Sequence, residues 1–226
     1  MNALSTSLHV RDHRSVLAAG EKRALVWLAA RTPHWINSDH LTLVGFIGIL
    51  LSGLSFCAAA WDRRALVLVV VGLAVNWYGD SLDGTLARFR DTQRPRYGYY
   101  TDHVLDLIGT VALVCGIAVS GFMTPLIALG LLVAYLAVMA EVFLATHVRR
   151  VFRMSFMYFG PTELRIVLAV GTLALFYKPV VKLAGTGPYL LFDVGGLVSI
   201  AGLTLALLVS ASRTIRALYR EEPLTR

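Results

Sequence analysis

The stretch that decides the fold is "ALVLVVVGLAVNWYGDSLDGTLAR", residues 65–88, followed after a short loop by "GYYTDHVLD", residues 98–106. It begins as an uncharged apolar run, which is typical of a segment that crosses a bilayer and needs about 20 such residues. The same stretch then carries four carboxylates: Asp80, Asp83, Asp102 and Asp106. Carboxylates beside or inside apolar segments need a physical reason.

The rest of the chain is equally apolar. Of its 226 residues, 57% are hydrophobic and 15% are charged, whereas soluble domains carry about 25% charged residues. The composition predicts an all-α integral membrane protein and leaves no room for a separate soluble domain. Six membrane-spanning helices are predicted near residues 41–61, 65–88, 98–120, 123–147, 164–178 and 188–212. We interpret residues 1–226 as one membrane-embedded domain, in which residues 1–40 form an interfacial segment.

The interfacial segment contains a predicted amphipathic helix at residues 14–31, where apolar residues recur at helical spacing among charges. With six spans, 17 of the 21 Lys and Arg residues fall on the side that holds both termini. The positive-inside rule makes this side the cytoplasm. The net charge of +7 then reflects topology and anionic lipids, so no nucleic-acid partner is predicted. Cys57 and Cys115 lie inside apolar runs, which favours buried free thiols over a disulfide.

The second and third spans each place their polar and small residues on one face. At about 100° per residue, an arc of about 140° holds Asp80, Asp83, Gly84, Ala87 and Arg88, with Asn76 on the same face one turn earlier. The third span presents Gly98, Asp102 and Asp106 together. Depth matches as well, because Asp80 and Asp106 both lie about 12 Å from the loop that joins the spans. We therefore expect the four carboxylates to converge just inside the cytoplasmic surface.

Such convergence needs compensation. An ionised Asp near mid-membrane is disfavoured by about 2.5–3.5 kcal/mol on insertion scales, and clustered anions also repel one another. Hard divalent cations bound by carboxylate oxygens supply the missing charge, and paired ions commonly handle phosphates. Gly84 and Gly98 leave space for a ligand or a neighbouring helix. The alternative is that the aspartates are solvated helix ends paired with arginines, which does not explain two facing stripes at this depth.

The segments "DSLDGTLAR" (residues 80–88) and "GYYTDHVLD" (residues 98–106) resemble the signature of the CDP-alcohol phosphotransferases, also called CDP-alcohol phosphatidyltransferases. The signature reads D-x-x-D-G-x-x-A-R, then G-x-x-x-D-x-x-x-D. Every position is filled: Asp80, Asp83, Gly84, Ala87, Arg88, Gly98, Asp102 and Asp106. The gap between Arg88 and Gly98 is at the long end of the family's range. The signature covers only residues 80–106, but the predicted spans and the amphipathic helix agree with the family elsewhere.

The resemblance implies a reaction in which a CDP-linked donor loses CMP and its remaining phosphoryl group passes to an alcohol. It implies that Asp80, Asp83 and Asp102 hold divalent metal, Mg²⁺ or Mn²⁺, with Asp106 assisting at the second of two ions. Asp106 would also be the general base that deprotonates the acceptor hydroxyl. Around the cytidine diphosphate the resemblance places Asp83, Gly84, Ala87 and Arg88, and we add Asn76 from the same helix face. It also suggests a homodimer.

The substrate is less constrained. We predict transfer of a phosphatidyl group from CDP-diacylglycerol to a small polar alcohol, because small single-domain chains more often resemble that group of the family. The alternative is transfer of phosphocholine or phosphoethanolamine from a CDP-alcohol to a diacylglycerol. Arg149, Arg150 and Arg153, after the fourth span, are candidates for binding a phosphorylated acceptor, although positive-inside anchoring is the simpler explanation of them.

Two polar residues inside the spans have two interpretations each. Glu141, in the fourth span, is a candidate for a polar wall of the acceptor site or for an interhelical hydrogen bond. His103, between the aspartates in sequence, points about 100° away from Asp102, and we expect it at the membrane interface rather than as a ligand.

Two rival functions share some of these features. Membrane prenyltransferases also bind a Mg²⁺-diphosphate through Asn and Asp on helices, a pattern echoed by Asn76 and Asp80. They usually have more spans than 226 residues supply, and they lack the D-G-x-x-A-R element. A transporter or cation channel could use the carboxylates as an ion site, but such folds often show internal repeats or broken helices, and neither is visible here.

Overall fold

Helices make up almost all of the computed structural model, which describes residues 18–149, 161–182 and 187–222. In chain order they are α1 (Ala18–Arg31), α2 (Ser38–Ala59), α3 (Ala65–Phe89), α4 (Pro95–Val119), α5 (Pro125–Arg149), α6 (Pro161–Tyr177) and α7 (Leu191–Glu221). Two three-residue strands, β1 (Val180–Lys182) and β2 (Pro188–Leu190), pair antiparallel between α6 and α7. The predicted all-α fold class is confirmed.

Five of the described helices, namely α2, α3, α4, α5 and α7, are long and apolar enough to cross a membrane. The chain is therefore an integral membrane protein with several spans. α6 has 17 residues, which is about 25 Å of helix against the roughly 30 Å of a hydrocarbon core. Because α6 is short, the sixth span stays a prediction. The cytoplasmic location of the termini also stays a prediction.

The two ends of the helix bundle differ, and we name them by what they carry. The site half contains the α3–α4 loop and the aspartates, and the hairpin half contains β1 and β2. α6 connects them, because Arg165 in its first turns contacts Asp80 while Leu175 near its end is buried with Leu66 from the start of α3. α6 therefore runs antiparallel to α3 through most of its length.

α1 is the predicted amphipathic helix, and it lies against the last turns of α3. Leu25 and Ala29 are buried in a cluster with Leu82 and Leu86, while Trp27 on the opposite face is 55% exposed. Residues 14–17 of the predicted helix lie outside the described residues. Packing one face of α1 on the last turns of α3 places α1 in the site half.

The loop between α3 and α4 is fixed by local chemistry at both ends. Asp91 has a φ of 53°, a left-handed conformation that Asp tolerates better than most residues. Pro95 opens α4 in the first turn, where its missing N–H leaves no bond unmade, so α4 begins three residues earlier than predicted. The Arg90 guanidinium donates hydrogen bonds of 2.6–3.0 Å to the carbonyls of Thr32, Pro33 and Ile36. These bonds tie the end of α3 to the α1–α2 connection.

α2 is the centre of the packing in the site half. It packs along both α3 and α4, whereas α3 and α4 scarcely touch each other. The α2–α3 contact is backbone on backbone, since a Cβ added to Gly45 would lie 2.9 Å from the amide nitrogen of Asp80. Gly79 faces Gly45 and the Leu41 carbonyl in the same way. The result is a cleft between α3 and α4 that has α2 as its floor.

The largest apolar core lies toward the hairpin half and joins α2, α3, α4, α5, α6 and α7. Its members include Phe56, Leu66, Leu113, Leu175 and Phe192. α5 packs mainly on α7 and contributes the fully buried Ala128 to this core. The cleft lies at the other end of α3, on the side of the aspartates.

Three features of the remaining segments differ from what the sequence predicts. The β1–β2 hairpin was not predicted, because three-residue strands give too short a pattern to recognise. α7 continues nine residues past the predicted end at 212, since Arg, Ala and Leu in "SRTIRALYRE" favour helix after the apolar run stops. Both cysteines are free, as predicted, but neither is fully buried, since Cys57 is half-buried on α2 and Cys115 is exposed on α4.

Candidate functional site

Three of the four predicted aspartates meet across the cleft. One carboxylate oxygen from each of Asp80, Asp102 and Asp106 lies within 4.8 Å of the others. α3 contributes Asp80, and α4 presents Asp102 and Asp106 on successive turns. All three are half-buried, so the charges are partly shielded from water and close enough to repel strongly. A group that neutralises them would stabilise this arrangement.

Asp83 takes a different position from the other three. It is 8% exposed, and its Oδ2 accepts a hydrogen bond of 2.6 Å from Thr42 Oγ1 on α2. The Gly84 amide donates to its other oxygen. The Ser38 hydroxyl adds a bond of 3.0 Å to the Asp83 carbonyl. The structure therefore brings three carboxylates together and directs the fourth toward α2, and a metal-binding role of Asp83 stays a prediction.

Residues of α2 at the floor of the cleft lie between Asp83 and the cluster of Asp80, Asp102 and Asp106. A small cavity between the helices is lined by Thr42, Gly45 and Phe46 of α2, by Asn76 and Asp80 of α3, and by Asp102 and Asp106 of α4. It has room for roughly one water-sized particle. Because Thr42 contacts Asp83 and also lines this cavity, Asp83 lies one side chain away from the cluster. The lining is rich in oxygen donors, which suits a small hard cation.

Arg165 is a residue of the cleft that the sequence pattern did not predict there. Its Nη2 lies 2.5 Å from Asp80 Oδ2, and its Nε donates a hydrogen bond of 2.7 Å to Asn76 Oδ1. The two side chains of this ion pair are only 16% and 20% exposed. By sequence alone, Arg165 is one of the 17 basic residues on the side that holds both termini. The signal that could have found it is an arginine at the start of the apolar sequence of α6, because an ionisable residue at membrane depth is a candidate for a functional site.

The predicted nucleotide-binding residues lie in two settings. Arg88 is exposed near the loop and donates a hydrogen bond of 3.2 Å to Thr85. A Cβ on Gly84 would come within 3.3 Å of the Arg88 guanidinium, whereas a Cβ on Gly98 would meet nothing within 4 Å. Of the two uses predicted for Gly98, close contact with a neighbouring helix is therefore not observed among the described residues.

Asn76 is buried and is held by the protein at both ends of its amide. Its Nδ2 donates a bond of 3.0 Å to the Gly45 carbonyl, and its Oδ1 accepts from Arg165. In this structure Asn76 orients the arginine. Ala87 lies one turn beyond Asp83 on α3, half-buried. The nucleotide contacts of Asn76 and Ala87 stay predictions.

The predicted acceptor-binding residues are only partly described. Arg150 and Arg153 lie outside the described residues, and Arg149 is the last residue of α5. Glu141 accepts hydrogen bonds of 2.9 Å at both carboxylate oxygens from the Ser210 hydroxyl of α7. Of the two interpretations offered for Glu141, the interhelical hydrogen bond is the one present.

His103 is not interfacial, contrary to expectation. It is 3% exposed, its Nδ1 lies 2.7 Å from the Tyr99 carbonyl, and its ring stacks on Tyr99 and meets Phe143 edge-on. Its Nδ1 also lies 3.9 Å from Asp102 Oδ2, so His103 contacts one member of the cluster. The side of α4 that carries the ring faces α5.

A second, larger cavity of about 430 Å³ opens beside the end of α3. Its walls include Ser38, Leu86 and Arg90, and Ser38 contacts the backbone of Asp83. Arg94 stands at its edge, where a hydrogen bond to Asp39 raises the pKa of the guanidinium above its usual value. A volume of this size falls within the range of small-molecule sites.

A family model described as CDP-alcohol phosphatidyltransferase matches residues 35–211. The match includes every signature position from Asp80 to Asp106, the whole of the cleft floor and Arg165. No curated protein matches the chain. The family match confirms the resemblance seen in the sequence, and it favours a transferase over the prenyltransferase and ion-transport interpretations.

Proposed function

The chain belongs to the CDP-alcohol phosphatidyltransferase family, and from this premise we propose that it transfers a phosphatidyl group from CDP-diacylglycerol to a small polar alcohol and releases CMP. Members of the family are transferases of phosphate-containing groups, so the chain is an enzyme of that class. Our proposal goes further by naming CDP-diacylglycerol as the donor and a small polar alcohol as the acceptor. Such a reaction belongs to phospholipid biosynthesis at the membrane.

The observation that carries the proposal is the meeting of Asp80, Asp102 and Asp106 within 4.8 Å. Three carboxylates and one guanidinium leave about two negative charges in a partly shielded cleft, which fits a divalent cation. The donor atoms are oxygens, as Mg²⁺ and Mn²⁺ prefer. We assign these three residues, with Asp83 nearby, as the metal ligands. We propose a second ion because Asp83 and the diphosphate of the donor would add further negative charge. A bound ion would neutralise the diphosphate and stabilise the departing CMP.

The chain's own groups would perform the proton transfer. As the acceptor oxygen forms its bond to the phosphorus that carries the diacylglycerol, the bond from that phosphorus to the CMP oxygen breaks, and CMP leaves with the electron pair. The hydroxyl proton passes to the Asp106 carboxylate, which acts as general base. Asp106 is half-buried in the cluster with Asp80 and Asp102, where its carboxylate can accept the proton of a hydroxyl bound beside it.

Arg165, Gly84 and Gly98 would contribute to binding the CDP-linked donor. The Arg165 guanidinium already lies in the cleft, where it could neutralise part of the charge on a phosphate. The open surface at Gly98 lets a ligand approach the α4 backbone. The cavity of about 430 Å³ near Asp83 is our candidate for the cytidine. Gly84, Ala87 and Arg88 do not line it, and we assign them to the diphosphate because they share the helix face of Asp80.

Topology and assembly complete the proposal. The basic residues favour a site that faces the cytoplasm, with both termini on that side. A cytoplasmic opening suits a water-soluble CMP product, while the lipid enters sideways from the bilayer. The resemblance alone supports a homodimer. The second candidate function is phosphocholine or phosphoethanolamine transfer to a diacylglycerol, which would use the same cluster.

The test of the general base is Asp106→Asn in detergent-purified protein, with CMP release from CDP-diacylglycerol as the readout. We expect a loss of about 10²–10⁴-fold, the usual contribution of a positioned base. Asp62→Asn is the matched control, because Asp62 is exposed in the α2–α3 connection and accepts a hydrogen bond from the Arg64 amide. Turnover in Asp106→Asn equal to that in Asp62→Asn would remove Asp106 from this role.

The donor is settled by a substrate panel. Purified protein is supplied with CDP-diacylglycerol or with CDP-choline plus diacylglycerol, each with Mg²⁺ and with a set of small alcohols, free and phosphorylated. We expect CMP only from CDP-diacylglycerol. CMP release that needs CDP-choline and diacylglycerol would establish the second candidate in place of the first.

A further inference from the structure

A single oxygen of Glu21, on α1, joins three helices. Its Oε1 accepts hydrogen bonds from Thr162 Oγ1 at 2.7 Å, from Trp77 Nε1 at 2.8 Å and, more weakly, from Ser81 Oγ at 3.4 Å. Two of these donors belong to α3 and one belongs to α6. Glu21 itself is half-buried although α1 is otherwise largely exposed. Hydrogen bonds to an ionised acceptor are roughly twice as strong as neutral ones.

The donors to Glu21 are neighbours of the acidic cluster. Trp77 follows Asn76, and Ser81 follows Asp80. Thr162 precedes Arg165 by three residues, about 4.5 Å along α6. The Glu21 bonds therefore lie at the level of the Arg165–Asp80 ion pair, and they hold the first turn of α6 against α3.

We propose that Glu21 is a positioning residue that controls the affinity of the Asp80–Asp102–Asp106 cluster for a divalent cation. By fastening α6 to α3 through Thr162, it keeps the Arg165 guanidinium on Asp80. A fixed positive charge at that point occupies one ligand oxygen and repels an incoming cation. The inference rests on the proposed function in one respect, namely that the cluster binds a divalent cation.

The test compares Mn²⁺ binding by two variants of the full chain in detergent, with free Mn²⁺ measured by electron paramagnetic resonance. Glu21→Gln and Glu21→Ala lose the same charge, but glutamine keeps a carbonyl acceptor for Thr162 and Trp77. We expect Glu21→Ala to bind Mn²⁺ about threefold more tightly than Glu21→Gln, since the guanidinium is no longer held on Asp80. Equal Mn²⁺ affinities in the two variants would overturn the inference.

A double-mutant cycle separates positioning from a merely structural effect. In an Arg165→Gln background, Mn²⁺ should bind more tightly than in the parent, and Glu21→Ala and Glu21→Gln should then become equal. A difference that persists in this background would show that Glu21 does not act through Arg165. Asp193→Ala is the control, because Asp193 accepts bonds of 2.6 Å from the Thr124 amide and hydroxyl in the hairpin half. Its Mn²⁺ affinity should equal that of the parent.

Thr162→Val keeps the test decisive if Glu21→Ala does not fold. It removes only the α6 donor, is close in size, and should tighten Mn²⁺ binding in the same direction. Asp80→Asn separates the proposed metal site from the proposed role of Glu21. If the parent binds no Mn²⁺, or Asp80→Asn binds it equally well, the proposed metal site fails and this inference with it. If Asp80→Asn weakens binding while Thr162→Val leaves it unchanged, this inference alone fails.

Discussion

The two halves of α3 are held in place by different interactions. From Leu66 to Leu73 it is buried in an apolar core with side chains of α2, α4 and α6, and contacts between hydrocarbon surfaces hold it there. From Asn76 to Arg88 the same helix lies on α2 through glycine and faces α4 across a cleft. There it is held by Arg165, Thr42 and Glu21.

The difference shows how a small membrane protein can keep charges inside its spans. The hairpin half provides rigidity by close packing of hydrocarbon side chains. In the site half α3 and α4 stay apart, and polar partners from α1, α2 and α6 fix the side chains that line the gap. Catalytic groups need such fixed positions and open space together. The following predictions test this division of roles, beginning with the largest effect.

Removing a carboxylate from the cluster should have the largest effect on turnover. Asp102→Asn should lower CMP release at least about a hundredfold, as expected when a ligand of a catalytic metal or a positioned acid–base group is lost. Asp193→Asn, at the other end of the bundle, should leave CMP release near the parent value. Equal losses in the two variants would mean that the halves do not differ in function.

A side chain at the α2–α3 contact should destabilise the fold more than the core substitution Leu66→Ala. Gly79→Leu would drive a side chain into the Gly45 backbone, and we expect a loss of at least about 3 kcal/mol in the free energy of unfolding. Gly202→Leu is the matched control, since Gly202 on α7 has nothing within 4 Å of an added Cβ. Denaturant unfolding monitored by circular dichroism in detergent measures both. A stable Gly79→Leu protein would disprove the close backbone contact.

A cavity in the hairpin half should affect stability and leave the site alone. Leu66 is fully buried, and Leu66→Ala should lower the free energy of unfolding by about 2 kcal/mol. Lipid is itself apolar, so the loss reflects packing and falls near the low end of the range for core leucines. Mn²⁺ affinity of the folded fraction should not change. A shift in Mn²⁺ affinity would show that the two halves of α3 are mechanically coupled.

The smallest effect is expected at the Glu141–Ser210 hydrogen bond between α5 and α7. Ser210→Ala should reduce stability by roughly 0.6 kcal/mol, the average for interhelical hydrogen bonds in a membrane, and leave the KM for the acceptor unchanged. Glu141→Gln should behave alike, because its role here is structural. A rise in acceptor KM in Glu141→Gln but not in Ser210→Ala would instead place Glu141 in the acceptor site.

Much of the fold and of the cluster could be predicted from local patterns. The 3.6-residue periodicity placed Asp80 on one face of its span and Asp102 and Asp106 on one face of the next, and both faces do point into the cleft. Helix ends were set by local chemistry, such as Asn37, which accepts from the His40 amide at the start of α2. Periodicity did not predict which neighbour each carboxylate contacts. Asp83 accepts a hydrogen bond from Thr42 on α2.

By itself, the sequence determined the class of protein, the order of its helices, the family signature and the helix faces that carry it, because these depend on composition and on spacing within one segment. The tertiary structure decided which distant side chains meet. It placed Arg165 on Asp80 and Glu21 on Thr162, 85 and 141 residues apart in the chain, and made α2 the floor between α3 and α4. Helical periodicity fixes which way a residue faces, but only the packing of one helix on another fixes what it faces.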